Sequence, residues 1–111
     1  MIVLLVDDEL DILEAYPDLM PDFTWRTACS FDDALRIIET EKIDVAVIDS
    51  LGGVKGLKLV EICNALKIKT IAHTGGSIIE DSSFFDAVAT KPDFDKLDQC
   101  LNLFKEVKNA A

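Results

Sequence analysis

The sequence has few cysteines, few basic residues and no long apolar run, and each of these scarcities excludes a class of protein. Its three cysteines, Cys29, Cys63 and Cys100, lie far apart and form no C-x-x-C pair. Metal sites and disulfide frameworks both need closely grouped or regularly spaced cysteines. We therefore expect reduced thiols that serve the structure.

Basic residues are outnumbered by acidic ones, 11 against 21, which gives a formal net charge of −10. The lysines and arginines are dispersed, whereas a nucleic-acid surface needs a basic patch, so we expect no direct contact with nucleic acid. The first apolar run is short and an acidic cluster follows it at once, which is typical of neither a signal peptide nor a membrane span. We expect a cytoplasmic protein without membrane contact.

Length and composition are typical of a single globular domain over residues 1–111, since 50% of the residues are hydrophobic and 29% are charged. A chain of 111 residues can bury a core but is too short for a catalytic domain plus an output domain. Short apolar runs alternate along it with amphipathic segments. The predicted strands are 2–6, 24–29, 43–48, 70–73 and 87–90. The predicted helices are 9–16, a second one that follows Ser30 with its apolar face over 31–38, 56–66, a weak one at 80–85, and 93–108.

Local signals mark several of these boundaries. Pro17 is expected to end the first helix. Ser30, with an acidic residue three positions later at Asp33, resembles a capping box at the start of the second helix. Helical spacing of apolar residues predicts the buried faces. These faces are Leu10, Leu13 and Tyr16 in the first helix; Phe31, Ala34, Leu35 and Ile38 in the second; Leu59, Val60, Cys63 and Leu66 in the third; and Phe94, Leu97, Leu101 and Phe104 in the last.

Alternating strands and helices in so short a chain imply right-handed crossovers and a parallel sheet covered on both faces. The predicted fold class is α/β, a flavodoxin-like, doubly wound, five-stranded parallel sheet of order 2-1-3-4-5, with a short or irregular fourth helix. Ligands of such sheets bind at the carboxyl ends of the strands. Five polar residues lie at or just after strand ends: Asp7, Asp8, Asp49, Thr74 and Lys91.

This set of side chains suits a divalent cation and a phosphoryl group. Clustered carboxylates repel one another unless they bind a proton or a cation, and oxygen ligands favour Mg²⁺. Asp49, at the centre, could accept a phosphoryl group as an acyl phosphate. Lys91 could neutralise phosphoryl oxygens, and Thr74 could donate its hydroxyl to them. The only histidine, His73, is expected to point away from this pocket because side chains alternate along a strand.

The whole chain resembles the response-regulator receiver domains of bacterial two-component signalling. The resemblance rests on VDDE with Asp7 and Asp8, VAVIDS with Asp49, Thr74 after the fourth strand, and Lys91 before proline. It implies an Mg²⁺ site in which Asp8 and Asp49 bind directly, Asp7 binds through water, and the backbone carbonyl of Leu51 completes the protein ligands. It also implies phosphorylation of Asp49 by a histidine kinase or phosphotransfer protein, docking on a surface that includes the first helix, and no turnover enzyme activity.

The sequence departs from that family in four respects. Val88 occupies the position, three residues before Lys91, where the family usually has a Tyr or Phe coupled to the switch hydroxyl of Thr74. The segment between Thr74 and Lys91 is shorter than usual, and the loop SLGGVKG lacks the usual proline. Leu51 and Gly76 stand where polar residues often affect hydrolysis, so we expect a slowly hydrolysed phosphoryl group.

Two other functions remain open from the sequence. The missing aromatic residue at Val88 favours a receiver-like module that binds its partner without phosphorylation, although the complete acidic set and Lys91 count against it. A hydrolase with an aspartyl-phosphate intermediate could use Asp7 as nucleophile and Glu9 as acid. The sequence identifies neither the cognate kinase nor the downstream protein partner, and it leaves the oligomeric state open.

Overall fold

The computed structural model describes residues 1–7, 10–48, 54–74, 85–90 and 94–110. Within these ranges the chain forms five strands and four helices. In chain order they are β1 (Ile2–Val6), α1 (Leu10–Leu19), β2 (Thr24–Ala28), α2 (Phe31–Thr40), β3 (Val45–Ile48), α3 (Val54–Ala65), β4 (Lys69–Thr74), β5 (Ala87–Thr90) and α4 (Phe94–Ala110).

The strands form one parallel sheet in the order β2-β1-β3-β4-β5, which confirms the predicted flavodoxin-like topology. The chain leaves β1 for β2 on one side and crosses back to β3 on the other. As a result, β1 and β3 are neighbours at the centre of the sheet, with Val6 opposite Ile48. Open α/β sheets usually bind ligands at the point where the strand order reverses, here between β1 and β3.

Each face of the sheet carries its own core. Val3 and Leu5 pack in one cluster with residues of α1 and α4, whereas Leu4 and Val6 pack in another with residues of α2 and α3. Because both faces are covered, the central strands are apolar at successive positions instead of alternating with polar residues.

Helix α1 continues past Pro17, so the prediction that this proline ends the helix is wrong. Tyr16 and Met20, four residues apart on the same helix face, are both buried in the core. The Met20 N–H donates to the Tyr16 carbonyl at 2.9 Å. Pro17 has no N–H to donate within the helix. Burial of the two large side chains, Tyr16 and Met20, offsets the loss of that hydrogen bond.

Helix α2 begins as predicted. Ser30 has an extended backbone, and its hydroxyl oxygen accepts a hydrogen bond from the Asp33 N–H at 3.1 Å. Ala34 and Ile38 are buried against the sheet, with Phe31 and Leu35 partly buried beside them.

Helix α3 ends one residue earlier than predicted, at Ala65. Leu66 is 56% exposed, so its predicted place on the buried face is wrong. The Ile68 N–H bonds back to the Cys63 carbonyl at 2.8 Å, while Lys67 adopts a left-handed backbone with φ 61°. This Schellman-type turn reverses the chain direction and carries Leu66 away from the core.

Other boundaries differ from the prediction by one or two residues. Strand β3 begins at Val45, and the carboxylate of Asp44, just before it, accepts a hydrogen bond from the Ile2 N–H at 2.8 Å. Leu97 and Leu101 of α4 are buried as expected. Of the weak helix predicted at 80–85, residues 80–84 lie outside the described residues. The helices within the described ranges are too short or too polar to span a lipid bilayer.

Candidate functional site

The carboxyl ends of four adjacent strands meet at one edge of the sheet. Val6 of β1 lies opposite Ile48 of β3, and Ile48 lies opposite Ala72 of β4. At the end of β4, Thr74 lies opposite Thr90, the last residue of β5. Neighbouring strands are about 5 Å apart, so these four strand ends lie side by side along one edge.

Asp7 directly follows β1 and is fully buried. Its N–H donates to the Ala28 carbonyl at 3.1 Å, which fixes the residue at the end of the sheet between β1 and β2. An ionised carboxylate in such a place costs several kcal/mol unless a cation or hydrogen bonds compensate its charge. Asp7 thus places one buried carboxylate at the carboxyl edge of the sheet.

The structure describes only part of the predicted site. Besides Asp7, it includes the backbone of Thr74 as the last residue of β4. Within the described ranges, no group of three or more His, Cys, Asp or Glu side chains could hold a metal ion. The other predicted residues lie outside the described ones: Asp8, Asp49, Leu51 and Lys91.

His73 is fully buried in the core, whereas strand alternation predicted only that its side chain points away from the pocket. Its Nδ1 is 2.6 Å from the Tyr16 hydroxyl oxygen, a hydrogen bond whose donor depends on the histidine tautomer. The two rings are in edge contact, with centroids 5.5 Å apart, and Phe94 lies 5.3 Å from His73 in the same arrangement. Tyr16 was predicted as core, but its bond to His73 joins residues 57 positions apart, and no local pattern could reveal it.

Solved structures of other proteins share this architecture. A CheY-like response regulator receiver domain from Methanospirillum hungatei JF-1 is 26% identical, with coverage of 99% of this chain and 98% of that chain and a TM-score of 0.83. A receiver domain from Methylobacillus flagellatus is 28% identical over 94% of this chain and 98% of that chain, with a TM-score of 0.80. A response regulator from Thermotoga maritima, solved in complex with Mg²⁺ and BeF, is 24% identical over 93% and 97% of the two chains, with a TM-score of 0.81.

The chain has the fold of a response-regulator receiver domain. Similarity covers nearly the full length of both chains in each of these comparisons. Neither a protein-family model nor a curated protein sequence matches it.

Val88 of this receiver fold is partly buried and lies opposite Ala72. Ala87 and Ala89, on either side of it, pack in the cluster of α1 and α4. Because side chains alternate along a strand, Val88 is on the opposite face of the sheet from His73, whose ring contacts Tyr16 of α1.

A cavity of about 390 Å³ lies at the other edge of this receiver fold, where the strands begin. Asp44, Lys67, Lys69 and Phe104 are among the residues that line it. It is therefore separate from the edge where Asp7 lies, and it does not contribute to the predicted phosphoryl site.

Cys63 and Cys100 are buried, which agrees with the predicted structural role, whereas Cys29 is exposed. Burial raises the pKa of the Cys63 thiol to about 12. Cys29 is exposed, and its thiol donates to the Asp33 carboxylate at 3.2 Å. That hydrogen bond, with desolvation and the charge of Asp33 adding to it, raises the pKa of the Cys29 thiol.

Proposed function

We propose that residues 1–111 form a receiver domain of a two-component system that accepts a phosphoryl group on Asp49 and thereby changes a protein-interaction surface. The observation that carries this proposal is the buried Asp7 beside the end of β3. Asp7 follows Val6, Val6 lies opposite Ile48, and Asp49 is the next residue in the sequence. Two carboxylates that follow adjacent parallel strands suit a shared cation.

Asp7, Asp8, Asp49 and the Leu51 carbonyl would hold Mg²⁺. These donors are all oxygen atoms, which Mg²⁺ prefers, and Asp7 lies at the edge of the sheet where the ends of β1 and β3 are neighbours. The bound ion would supply positive charge to the phosphoryl oxygens. The similar receiver from Thermotoga maritima was solved with Mg²⁺ and BeF, which supports this assignment.

The chemical step transfers one phosphoryl group from the donor to Asp49. A carboxylate oxygen of Asp49 attacks phosphorus, the bond from phosphorus to the donor breaks, and the donor leaves with the bonding electron pair. Lys91 and Thr74 would contact the phosphoryl oxygens and offset their charge. Because the group stays on the protein until hydrolysis, the domain acts as a switch and does not turn over a substrate.

A histidine kinase or phosphotransfer protein in the cytoplasm would supply the phosphoryl group. The output would be contact with another protein, since the net charge of −10 disfavours nucleic acid. A second candidate, binding without phosphorylation, is favoured by one observation: Val88 cannot act as the aromatic partner of Thr74.

Binding of beryllofluoride with Mg²⁺ tests the proposal without a kinase. Fluorine NMR of the wild-type protein is expected to show bound fluoride resonances that require Mg²⁺. Asp49→Asn should lose them, whereas Asp22→Asn, a change at an exposed aspartate, should keep them. Bound resonances that persist in Asp49→Asn would refute Asp49 as the acceptor, and their absence from the wild type would favour the phosphorylation-independent module.

A further inference from the structure

His73 connects the end of β4 with helix α1. It directly precedes Thr74, the predicted switch residue, and the rigid peptide unit between them holds their Cα atoms about 3.8 Å apart. Any backbone displacement at Thr74 therefore shifts or rotates His73. Because His73 is fully buried in a close-packed core, its ring cannot move without moving its neighbours.

The hydrogen bond between Tyr16 and His73 makes α1 one of these neighbours. The distance of 2.6 Å between the phenol oxygen and Nδ1 is short, and both residues are fully buried. Hydrogen bonds in a medium of low polarity are strong and sensitive to geometry. A displacement of His73 by a fraction of an ångström would lengthen this bond or draw Tyr16 with it.

Tyr16 is also connected, through Trp25 and Met20, to the end of α1. Its ring lies 5.9 Å from that of Trp25, edge to face, and the Trp25 indole N–H donates to the Met20 carbonyl at 2.8 Å. Met20 directly follows α1 and is itself bonded to Tyr16 through the backbone. These contacts connect β4 with both the middle and the end of the helix.

Helix α4 contacts the hydrogen-bonded pair of Tyr16 and His73 through Phe94, its first residue. The Phe94 ring is 5.2 Å from Tyr16 and 5.3 Å from His73, so it encloses the hydrogen-bonded pair from a second side. Val88 lies on the opposite face of the sheet from these three rings. The rings of Tyr16, His73 and Phe94 thus lie together on the face covered by α1 and α4.

We propose that Tyr16 and His73 couple the phosphorylation state of Asp49 to helix α1, in place of the aromatic residue that is absent at Val88. This inference rests on the proposed function. It identifies the α1 surface as the one that changes between the two states, and Tyr16 and His73 as positioning residues that act through Thr74. The pair therefore links the phosphoryl site to the helix on which we expect the kinase to dock.

Trp25 is an internal reporter for this coupling, because it is the only tryptophan in the chain and touches Tyr16. The experiment compares Trp25 emission before and after acetyl phosphate with Mg²⁺, and measures phosphoryl uptake by intact mass on the same samples. In the wild type we expect uptake and a change in emission. Hydrogen exchange of residues 10–19 provides a second measurement that does not depend on the indole.

Tyr16→Phe removes the phenol oxygen and keeps the ring that contacts Trp25 and Phe94. We expect this variant to take up the phosphoryl group as the wild type does but to lose the changes in Trp25 emission and in exchange of α1. His73→Phe is a second variant with the same expected outcome, and the double variant should be no more affected than either single one.

Thr70→Val is the matched control. Thr70 is also fully buried and lies on β4, but its hydroxyl bonds with Asp86, at 3.3 Å to the carboxylate and 3.2 Å from the N–H, at the other end of the strand. Its loss should lower stability and leave the phosphorylation-dependent changes intact. Circular dichroism of every variant identifies any that does not fold.

The possible results separate this inference from the proposed function. A wild-type protein that takes up no phosphoryl group refutes the proposed function and the coupling with it. Uptake without any change in Trp25 emission or α1 exchange refutes the coupling alone. The coupling is also refuted if Tyr16→Phe and His73→Phe show the same changes in Trp25 emission and α1 exchange as the wild type.

Discussion

Val6 of β1 and Ile48 of β3 lie opposite each other in parallel register at the carboxyl edge of the sheet. The residue after Val6 is the buried Asp7, and the residue after Ile48 in the sequence is Asp49. This pairing follows from the strand order, because only a sheet with β1 and β3 as neighbours brings these two strand ends together. The proposed phosphoryl site depends on it.

Asp7→Asn is expected to weaken Mg²⁺ binding, by about tenfold or more. The substitution keeps the size of the buried side chain and removes its charge, so the cation loses electrostatic stabilisation. Calorimetric titration with MgCl₂ would measure the affinity. Asp22→Asn, at an exposed position, is the control, and equal affinities in the two variants would exclude Asp7 from the site.

Lys67→Gly is expected to raise the free energy of unfolding by about 0.5–1 kcal/mol, because glycine adopts a positive φ without the steric cost that lysine has there. Loss of a cation near the end of α3 offsets part of the gain. Lys58→Gly, at an exposed position inside α3, should lower the same free energy by about 1 kcal/mol. Urea denaturation would measure the free energy of unfolding of both variants. Changes of the same sign in the two would contradict the role of the left-handed turn.

Ser30→Ala is expected to lower the free energy of unfolding by about 1 kcal/mol, since the Asp33 N–H loses the hydroxyl that caps α2. Thr40→Ala removes an exposed hydroxyl at the other end of the same helix, where it bonds with the Arg36 carbonyl at 2.9 Å. We expect a smaller effect there. If the two variants have the same denaturation midpoint, the cap contributes no more than a surface hydroxyl.

Cys29 should react with iodoacetamide more slowly at pH 8 than its exposure suggests, because alkylation needs the thiolate and the hydrogen bond to Asp33 raises the thiol pKa. Asp33→Asn should lower that pKa and accelerate the reaction. Asp32→Asn, next to it in the same turn, should have little effect. Rates measured by mass spectrometry over a pH series would test this, and a rate unchanged in Asp33→Asn would contradict it.

Much of the fold could be predicted because local patterns and global packing agree. Strands β1 and β5 have their predicted bounds, and the Ser30 cap marks the start of α2. The errors arose where tertiary contacts outweigh local preference. Burial of Tyr16 and Met20 carries α1 past Pro17, and the turn at Lys67 exposes Leu66 although its spacing from Cys63 suggested burial.

The candidate site could be predicted only as a set of strand-end residues. Parallel topology is enough to bring the ends of β1, β3, β4 and β5 to one edge. The hydrogen bond between Tyr16 and His73 could not be predicted, since it depends on how α1 lies across β4 and joins distant parts of the chain. Strand alternation predicted only that His73 is directed away from the site.

Intact mass after incubation with acetyl phosphate tests the central claim most directly. We expect the wild-type protein to gain one phosphoryl group only when Mg²⁺ is present, Asp49→Ala to gain none, and Asp22→Ala to behave as the wild type. A slow loss of the adduct after removal of the donor would also agree with Leu51 and Gly76 at the positions that affect hydrolysis. An adduct of equal yield on Asp49→Ala, or one formed equally well without Mg²⁺, would contradict the account.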